Sequence, residues 1–444
     1  MTAPHAPALE LVRTHARVLA GDDADYDGLL AMVGERPFVL LGEASHGTHE
    51  FYAMRAAITR RLVEELGFDA VAVEADWPDA LRLDRYARGY GEADTLDEAF
   101  GDFQRFPTWM WRNRDARALV AWLREHNARQ PEHARVGVHG LDLYSLYRSA
   151  EAVIAYLDGI DPDQAAAARR VYRCLDHVRE PQDYAYEAAH GLRASCREGA
   201  TRLLSELVRK GPAYLAGDGR AARDAQFFAE RNAHVVRNAE RYYRETLGGR
   251  IHTWNLRDAH MYETLVALHA HLRGEGLRGR IVVWAHNSHL GDARATEMGR
   301  AGEWNLGQLV RERVGTDQAL LVGFTTYTGH VTAARDWDAP AERRWVRPAR
   351  RDSVEHLFYR SGRDRFFLPL HGALGEALSA PLLQRAIGVV YRPETERASH
   401  YFQASPGRQF DALFHLDETS AVEPFEVTRQ WQHHEIPDTW PSGL

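Results

Sequence analysis

Two rhythms of apolar and polar positions run along this chain. Short unbroken apolar runs recur at Phe38–Leu41, Ala70–Val73, Val136–Val138, Ile281–Trp284, Leu320–Phe324 and Ile387–Tyr391, with long amphipathic segments between them. A run apolar at every position suits a strand covered on both faces. Its alternation with helices predicts an α/β fold, a mostly parallel central sheet flanked by helices. The first run is the most sharply bounded. Gly42 ends it, helix-like sequence extends from about His49 to Leu66, and Gly67 is placed to cap that helix. From about Ser149 to Glu245 the strand signal disappears into a stretch rich in Ala, Arg, Glu and Leu, opened by Asp158-Gly159-Ile160-Asp161-Pro162. This predicts a helical insertion or cap (149–245) between two parts of the core (1–148 and 246–444). Arg335–Asp352, dense in Arg, Trp and Pro, reads as a long surface loop.

Composition narrows the function classes. Of 444 residues, 45% are hydrophobic and 27% charged, ordinary values for a globular protein. The net charge of −8 argues against broad nucleic-acid binding. No apolar run nears the roughly 20 residues of a membrane span. The start, Met1 to Glu10, lacks the basic stretch and apolar core of a secretion signal, so a cytoplasmic protein is the expectation. Lys210 is the only lysine, which makes the positive charge almost entirely arginine. Cys174 and Cys196 fall in one helical region, too few for a disulfide framework or a zinc finger.

The chemistry is written at the strand ends. Glu43 and His46 follow the first run, Glu74 the second, His139 and Asp142 the third, His286 and His289 the fourth. In an open parallel sheet the carboxyl ends of the strands line the ligand crevice, so these groups would converge on one rim. Three chemistries could use them. A histidine can take a proton from water while a carboxylate fixes its tautomer, and Glu43 with His46 has the spacing for that on a turn. Arg55, on the following helix, could stabilise a developing oxyanion. Glu43, His46, Glu74, His286 and His289 are also ligand types for zinc or manganese, although His286-Asn287-Ser288-His289 lacks the intervening glutamate of the zincin motif. Ser45 sits at a strand-to-helix turn like a nucleophile elbow, but Glu43 replaces the first glycine of that motif. Arg257 and Asp258 open a helix and either reach the rim or pair on the surface. The aromatic cluster Phe106-Pro107-Thr108-Trp109-Met110-Trp111 either lines an apolar pocket or fills the core.

The motifs Leu41-Gly42-Glu43-Ala44-Ser45-His46-Gly47-Thr48 with Arg55, Val73-Glu74-Ala75-Asp76-Trp77, Gly140-Leu141-Asp142, Asn255-Leu256-Arg257-Asp258-Ala259-His260-Met261 and Trp284-Ala285-His286-Asn287-Ser288-His289 together resemble the erythromycin esterase family. Gly388-Val389-Val390-Tyr391 and Gln409-Phe410-Asp411-Ala412-Leu413 extend the likeness from about Pro37 to Pro424. The resemblance implies an α/β core with a helical subdomain and ester hydrolysis by water, with no cofactor and no metal. It implies His46 as general base, with Glu43, Arg55, Glu74 and His286 as its catalytic companions. His289, Trp77, Asp142, Arg257 and Asp258 are the expected substrate-binding residues. The family's best-known members open the lactone ring of macrolides, the basis of an antibiotic-resistance role, while some relatives carry a succinoglycan-biosynthesis label. The expected partner is therefore a small-molecule ester or lactone. The competing readings are a metal-dependent hydrolase using the same cluster and a non-catalytic binding protein for a small ligand. Oligomeric state is not readable from these patterns.

Overall fold

A computed structural model describes residues 6–91, 93–175, 183–184, 186–187, 195–215, 220–246 and 249–432. The chain forms two compact units, one built from Met1–Val71, Tyr86–Val136 and Arg280–Leu444, the other from Ala72–Arg85 and Gly137–Gly279.

The first unit is a mixed sheet with helices. Its strands are β1 (Arg17–Val18), β2 (Phe38–Leu41), β5 (Ile281–Trp284), β6 (Ala319–Ala333), β7 (Glu342–Val346), β8 (Arg365–Pro369) and β11 (Ala412–Thr419), and β9 (Leu382–Arg385) pairs with β10 (Tyr401–Ala404) in a separate ribbon. The order is β1-β8-β11-β6-β2-β5, with β7 on β6. Pairing is parallel at the centre, where β2 lies between β5 and β6 and β6 meets β11. It turns antiparallel outward, at β8 on β11, β1 on β8 and β7 on β6. All four residues of β2 are buried, as its unbroken apolar run demands of a strand covered on both faces. The register aligns Leu41 with Trp284 and with Val322. The chain therefore leaves β2 and β5 at the same level, which brings Glu43 and His286 to one edge.

The helix His49–Leu66 occupies the span its pattern predicts. Gly67 ends it in the left-handed region at φ 64°, its N–H donating to the Val63 carbonyl at 3.2 Å while Phe68 N–H donates to Leu62 at 3.2 Å. The helix buries Phe51, Tyr52, Met54, Arg55, Ile58, Thr59, Leu62 and Val63, and Trp284 Nε1–H donates to Thr59 Oγ1 at 3.0 Å. Two expectations need correction. Ile387–Tyr391 is not a strand: Ile387 and Val390 make single bridges, to Ser45 and Ala334. Arg335–Asp352 is not all loop, because Glu342–Val346 pairs along β6.

The second unit carries β3 (Ala70–Asp76) from Ala72 onward, β4 (Gly137–Asp142) and the helices Leu146–Ile160, Pro162–Tyr172, Arg197–Tyr214, Arg220–Glu245 and Arg250–Gly274. Trp77, Leu143, Leu146, Val153, Leu157, Tyr172, Leu203, Leu207 and Val236 form its apolar core. Cys174 and Cys196 are joined in a disulfide, a pairing that counting two thiols did not bring out. No helix among the described residues is long and apolar enough to cross a membrane.

Candidate active site

The turn after β2 carries the first group of side chains. Glu43 is buried and bonds in two directions: its Oε1 lies 2.9 Å from His46 Nδ1, and its Oε2 accepts from Arg55 Nη2. Arg55 is only 1% exposed. Its guanidinium stacks between Tyr52 and Trp284, 4.7 and 4.6 Å from the ring centroids, and its Nε donates to the Phe51 carbonyl at 3.3 Å. A cation this deep in the fold acts on Glu43, which it orients, with aromatic faces replacing the water it has lost. Tyr52, Trp284 and the grip they exert were not in the sequence expectation; the aromatic at 52, three residues before Arg55 on one helix, was the available signal.

Backbone bonds hold this turn from several sides. His46 N–H donates to the Ile387 carbonyl at 3.3 Å, and the Gly47 carbonyl accepts from Thr332 and Val422 at 3.0 and 2.9 Å. Position 47 is glycine because a Cβ there would overlap the Thr332 carbonyl oxygen. Ser45 bonds to the Thr48 hydroxyl, and His46 Nδ1 is turned to Glu43, so the serine has its own partner apart from the histidine.

The turn after β5 meets the first one. Asn287 N–H donates to the Glu43 carbonyl at 2.8 Å, and the Asn287 side chain both donates to the Phe324 carbonyl at 2.7 Å and accepts from Phe324 N–H at 3.3 Å. The amide thus fills the place of a peptide between β2 and β6, close enough to Gly42 that a Cβ there would strike it. This pins His286 with its ring centroid 4.9 Å from that of His46. His286 caps the short helix Asn287–Leu290, its Nδ1 accepting from Ser288 N–H at 3.2 Å with the Ser288 hydroxyl at 2.8 Å. His289 is buried on the same helix, its N–H donating to the His286 carbonyl at 2.9 Å.

In the second unit Arg257 is the organiser. Its Nη2 donates to Glu74 Oε1 at 2.7 Å and to Asp142 Oδ2 at 2.6 Å, and its Nε reaches Asp142 Oδ1 at 3.0 Å. Burial alone would push this guanidinium down, yet Asp142, Tyr144 and Glu74 hold it well above its usual range. Tyr144 lies under it at 5.1 Å, and Asp76 accepts from Tyr144 N–H at 2.9 Å, tying together the chain after β3 and after β4. Asp258 is fully buried on the same helix as Arg257. Trp77 is covered by Phe227, Phe228 and His139, with centroids 5.7, 5.2 and 5.8 Å away. The aromatic cluster after Phe106 belongs to the first unit. Trp109, Met110 and Trp111 are buried, and Tyr52 donates its hydroxyl to the Met110 carbonyl at 2.7 Å. Among the described residues no group of three or more His, Cys, Asp or Glu is placed to hold a metal ion.

A carboxylate held by a buried arginine and bonded to a histidine thus lies where the parallel strands end in this α/β fold, a pairing of the type that general acid–base chemistry uses. Residues 63–419 match the family model described as erythromycin esterase, and the chain belongs to that family of ester hydrolases. It is 21% identical over 418 residues to erythromycin esterase type II of Escherichia coli, covering 90% of this chain and 93% of that one. Similar folds occur in a Bacillus cereus protein (TM-score 0.74, 21% identity, 94% and 98% of the two chains) and in a succinoglycan biosynthesis protein (0.74, 21%, 94% and 97%). A mutant of the erythromycin esterase EreC in its open conformation also matches (0.65, 19%, 92% and 96%).

Proposed function

We propose that this protein hydrolyses a carboxylic ester, with a macrocyclic lactone as the leading substrate class, using His46 as general base. The observation that carries the reading is the chain Arg55–Glu43–His46, in which one carboxylate oxygen is held by the guanidinium and the other faces Nδ1 at 2.9 Å. Nδ1 then keeps its proton, and Nε2 presents a lone pair to water. In the forward step Nε2 takes a proton from water as the water oxygen bonds to the ester carbonyl carbon, and Glu43 steadies the imidazolium. As the tetrahedral oxyanion collapses, the carbon–alkoxy bond breaks. The leaving oxygen takes the proton back from Nε2, so ester and water become an acid and an alcohol, both on one opened chain when the ester is a lactone. General base catalysis of this kind is typically worth about 10² to 10⁴-fold. The name of the Escherichia coli relative supports the lactone class.

The test is incubation of purified protein with erythromycin and with a panel of simple esters, read by mass spectrometry. Gain of one water by the lactone, or splitting of a simple ester into its acid and alcohol, lost in a folded His46→Ala variant, supports the reading. A soluble His46→Ala protein that turns over at the wild-type rate would sink it.

A further inference from the structure

His46 and His286 stand ring to ring at 4.9 Å, and each has Nδ1 engaged by a neighbour close in sequence. The two neighbours are opposite in kind. Opposite His46 is a carboxylate oxygen, an acceptor. Opposite His286 is the backbone N–H of Ser288, which has only a proton to offer. A proton on His286 Nδ1 would point at another N–H, so the lone pair sits there and the ring proton sits on Nε2. The Ser288 hydroxyl, 2.8 Å away, can rotate its own proton toward the same nitrogen and so serve the lone pair that the N–H requires there.

We infer that Ser288 is a positioning residue that holds His286 as its Nε2–H tautomer, which makes His286 a hydrogen-bond donor to the ester carbonyl oxygen opposite the basic Nε2 of His46. This assignment rests on the hydrolase reading for its purpose, though not for its geometry.

Two features show that the arrangement is built in. Histidine is not among the residues favoured at a helix N-cap, where the side chain must accept from the N2 or N3 amide, yet His286 occupies that position at φ −62° and ψ 150° with its ring nitrogen in the accepting role. The side chain of Asn287, bonded at both ends to Phe324, then prevents the turn from rotating the ring away. With one bare Nε2 and one protonated Nε2, the pair can remove a proton from water and donate a hydrogen bond to the carbonyl at the same moment, without either ring changing tautomer first. Two histidines of the same tautomer would supply two bases or two donors.

The experiment uses the full chain labelled with 15N-histidine, with His286→Gln and His46→Gln assigning the ring signals. Nitrogen shifts and one-bond couplings report which nitrogen bears the proton. The expected result is a bare Nδ1 and a protonated Nε2 for His286, with the reverse for His46. A second variant series tests the cause. Ser288→Asp keeps the backbone N–H but sets a carboxylate against Nδ1, and this charged acceptor, a stronger partner than the amide, should draw the His286 proton there, lowering kcat on the best ester by about 10² to 10³-fold, the size of a lost oxyanion donor, with little change in KM. Ser288→Thr, which keeps both donors, should restore the wild-type rate and spectrum. A wild-type His286 with its proton on Nδ1 overturns the inference whatever the activity. An unchanged His286 spectrum in folded Ser288→Asp overturns the role of Ser288. If the wild-type spectrum is as expected and no ester is turned over, the tautomer assignment stands and the hydrolase reading fails.

Discussion

The carboxylate of Glu43 is held from both sides, with Arg55 on Oε2 and His46 Nδ1 2.9 Å from Oε1. The guanidinium reaches it from a slot between Tyr52 and Trp284, so the orientation of the histidine depends, through one carboxylate, on a buried arginine it does not bond itself.

Arg55→Lys should therefore be far from conservative. An ammonium cannot fill the flat slot between two rings, and it holds a carboxylate as a point charge with no fixed direction. The expected outcome is a fall in kcat of about 10²-fold, comparable to the loss of a general base's orientation, with KM nearly unchanged and the fold retained. Steady-state kinetics on any accepted ester reads this, and equal losses in kcat and 1/KM would assign Arg55 to substrate binding instead.

Gly47 sits where the turn presses on β6. Gly47→Ala drives a methyl into the Thr332 carbonyl oxygen, a backbone atom that cannot swing aside. Overpacking of this type costs about 1–3 kcal/mol, and the displaced turn carries His46 with it. Chemical denaturation and activity should drop together. Full activity in the variant would show that the turn tolerates a shift the contact forbids.

Arg257 neutralises two carboxylates at once. Arg257→Met leaves Glu74 and Asp142 buried without their common cation and should cost about 3–5 kcal/mol. Arg257→Lys should recover only part, since one ammonium cannot reproduce the fork on Asp142 and the bond to Glu74 together. Thermal unfolding of the two variants against wild type measures the difference. A methionine variant as stable as wild type would show that the carboxylates find other compensation.

His400 is a buried imidazole whose protonation desolvation resists, with Arg385 and Arg392 adding to the effect, and it is pushed down to about 4 from 6.5. Its Nε2 accepts from Arg392 N–H at 3.1 Å. The unfolded chain binds this proton more readily than the folded one. Stability is thus fully present above pH 6.5 and is lost as the pH falls from there to about 4. His400→Gln should shrink the loss of unfolding free energy between pH 7 and pH 4.5 by about 2 kcal/mol. Urea unfolding at the two pH values gives the answer, and an unchanged gap would place the acid sensitivity in other groups.

Local periodicity made much of the fold legible. Phe38–Leu41, His49–Leu66 and Ile281–Trp284 are where the pattern places them, because each is long enough, or sharply enough ended by glycine or a polar turn, to have one reading. Ile387–Tyr391 has the same apolar content as a strand, but an isolated extended segment buried by single bridges at Ile387 and Val390 demands the same residues. The strand Ala412–Thr419 escaped notice because buried His415 and the later Asp417 and Glu418 interrupt its apolar run.

By itself the sequence determined that acids and histidines follow the central strands, and so which polar side chains stand at their carboxyl ends. That much follows from order along the chain. That Arg55 is a clamp on Glu43, that Arg257 spans Glu74 and Asp142, and that Cys174 pairs with Cys196 were decided only by tertiary structure. Each depends on a partner from another part of the chain brought within bonding range, and local periodicity holds no record of distances between segments that the fold alone brings together.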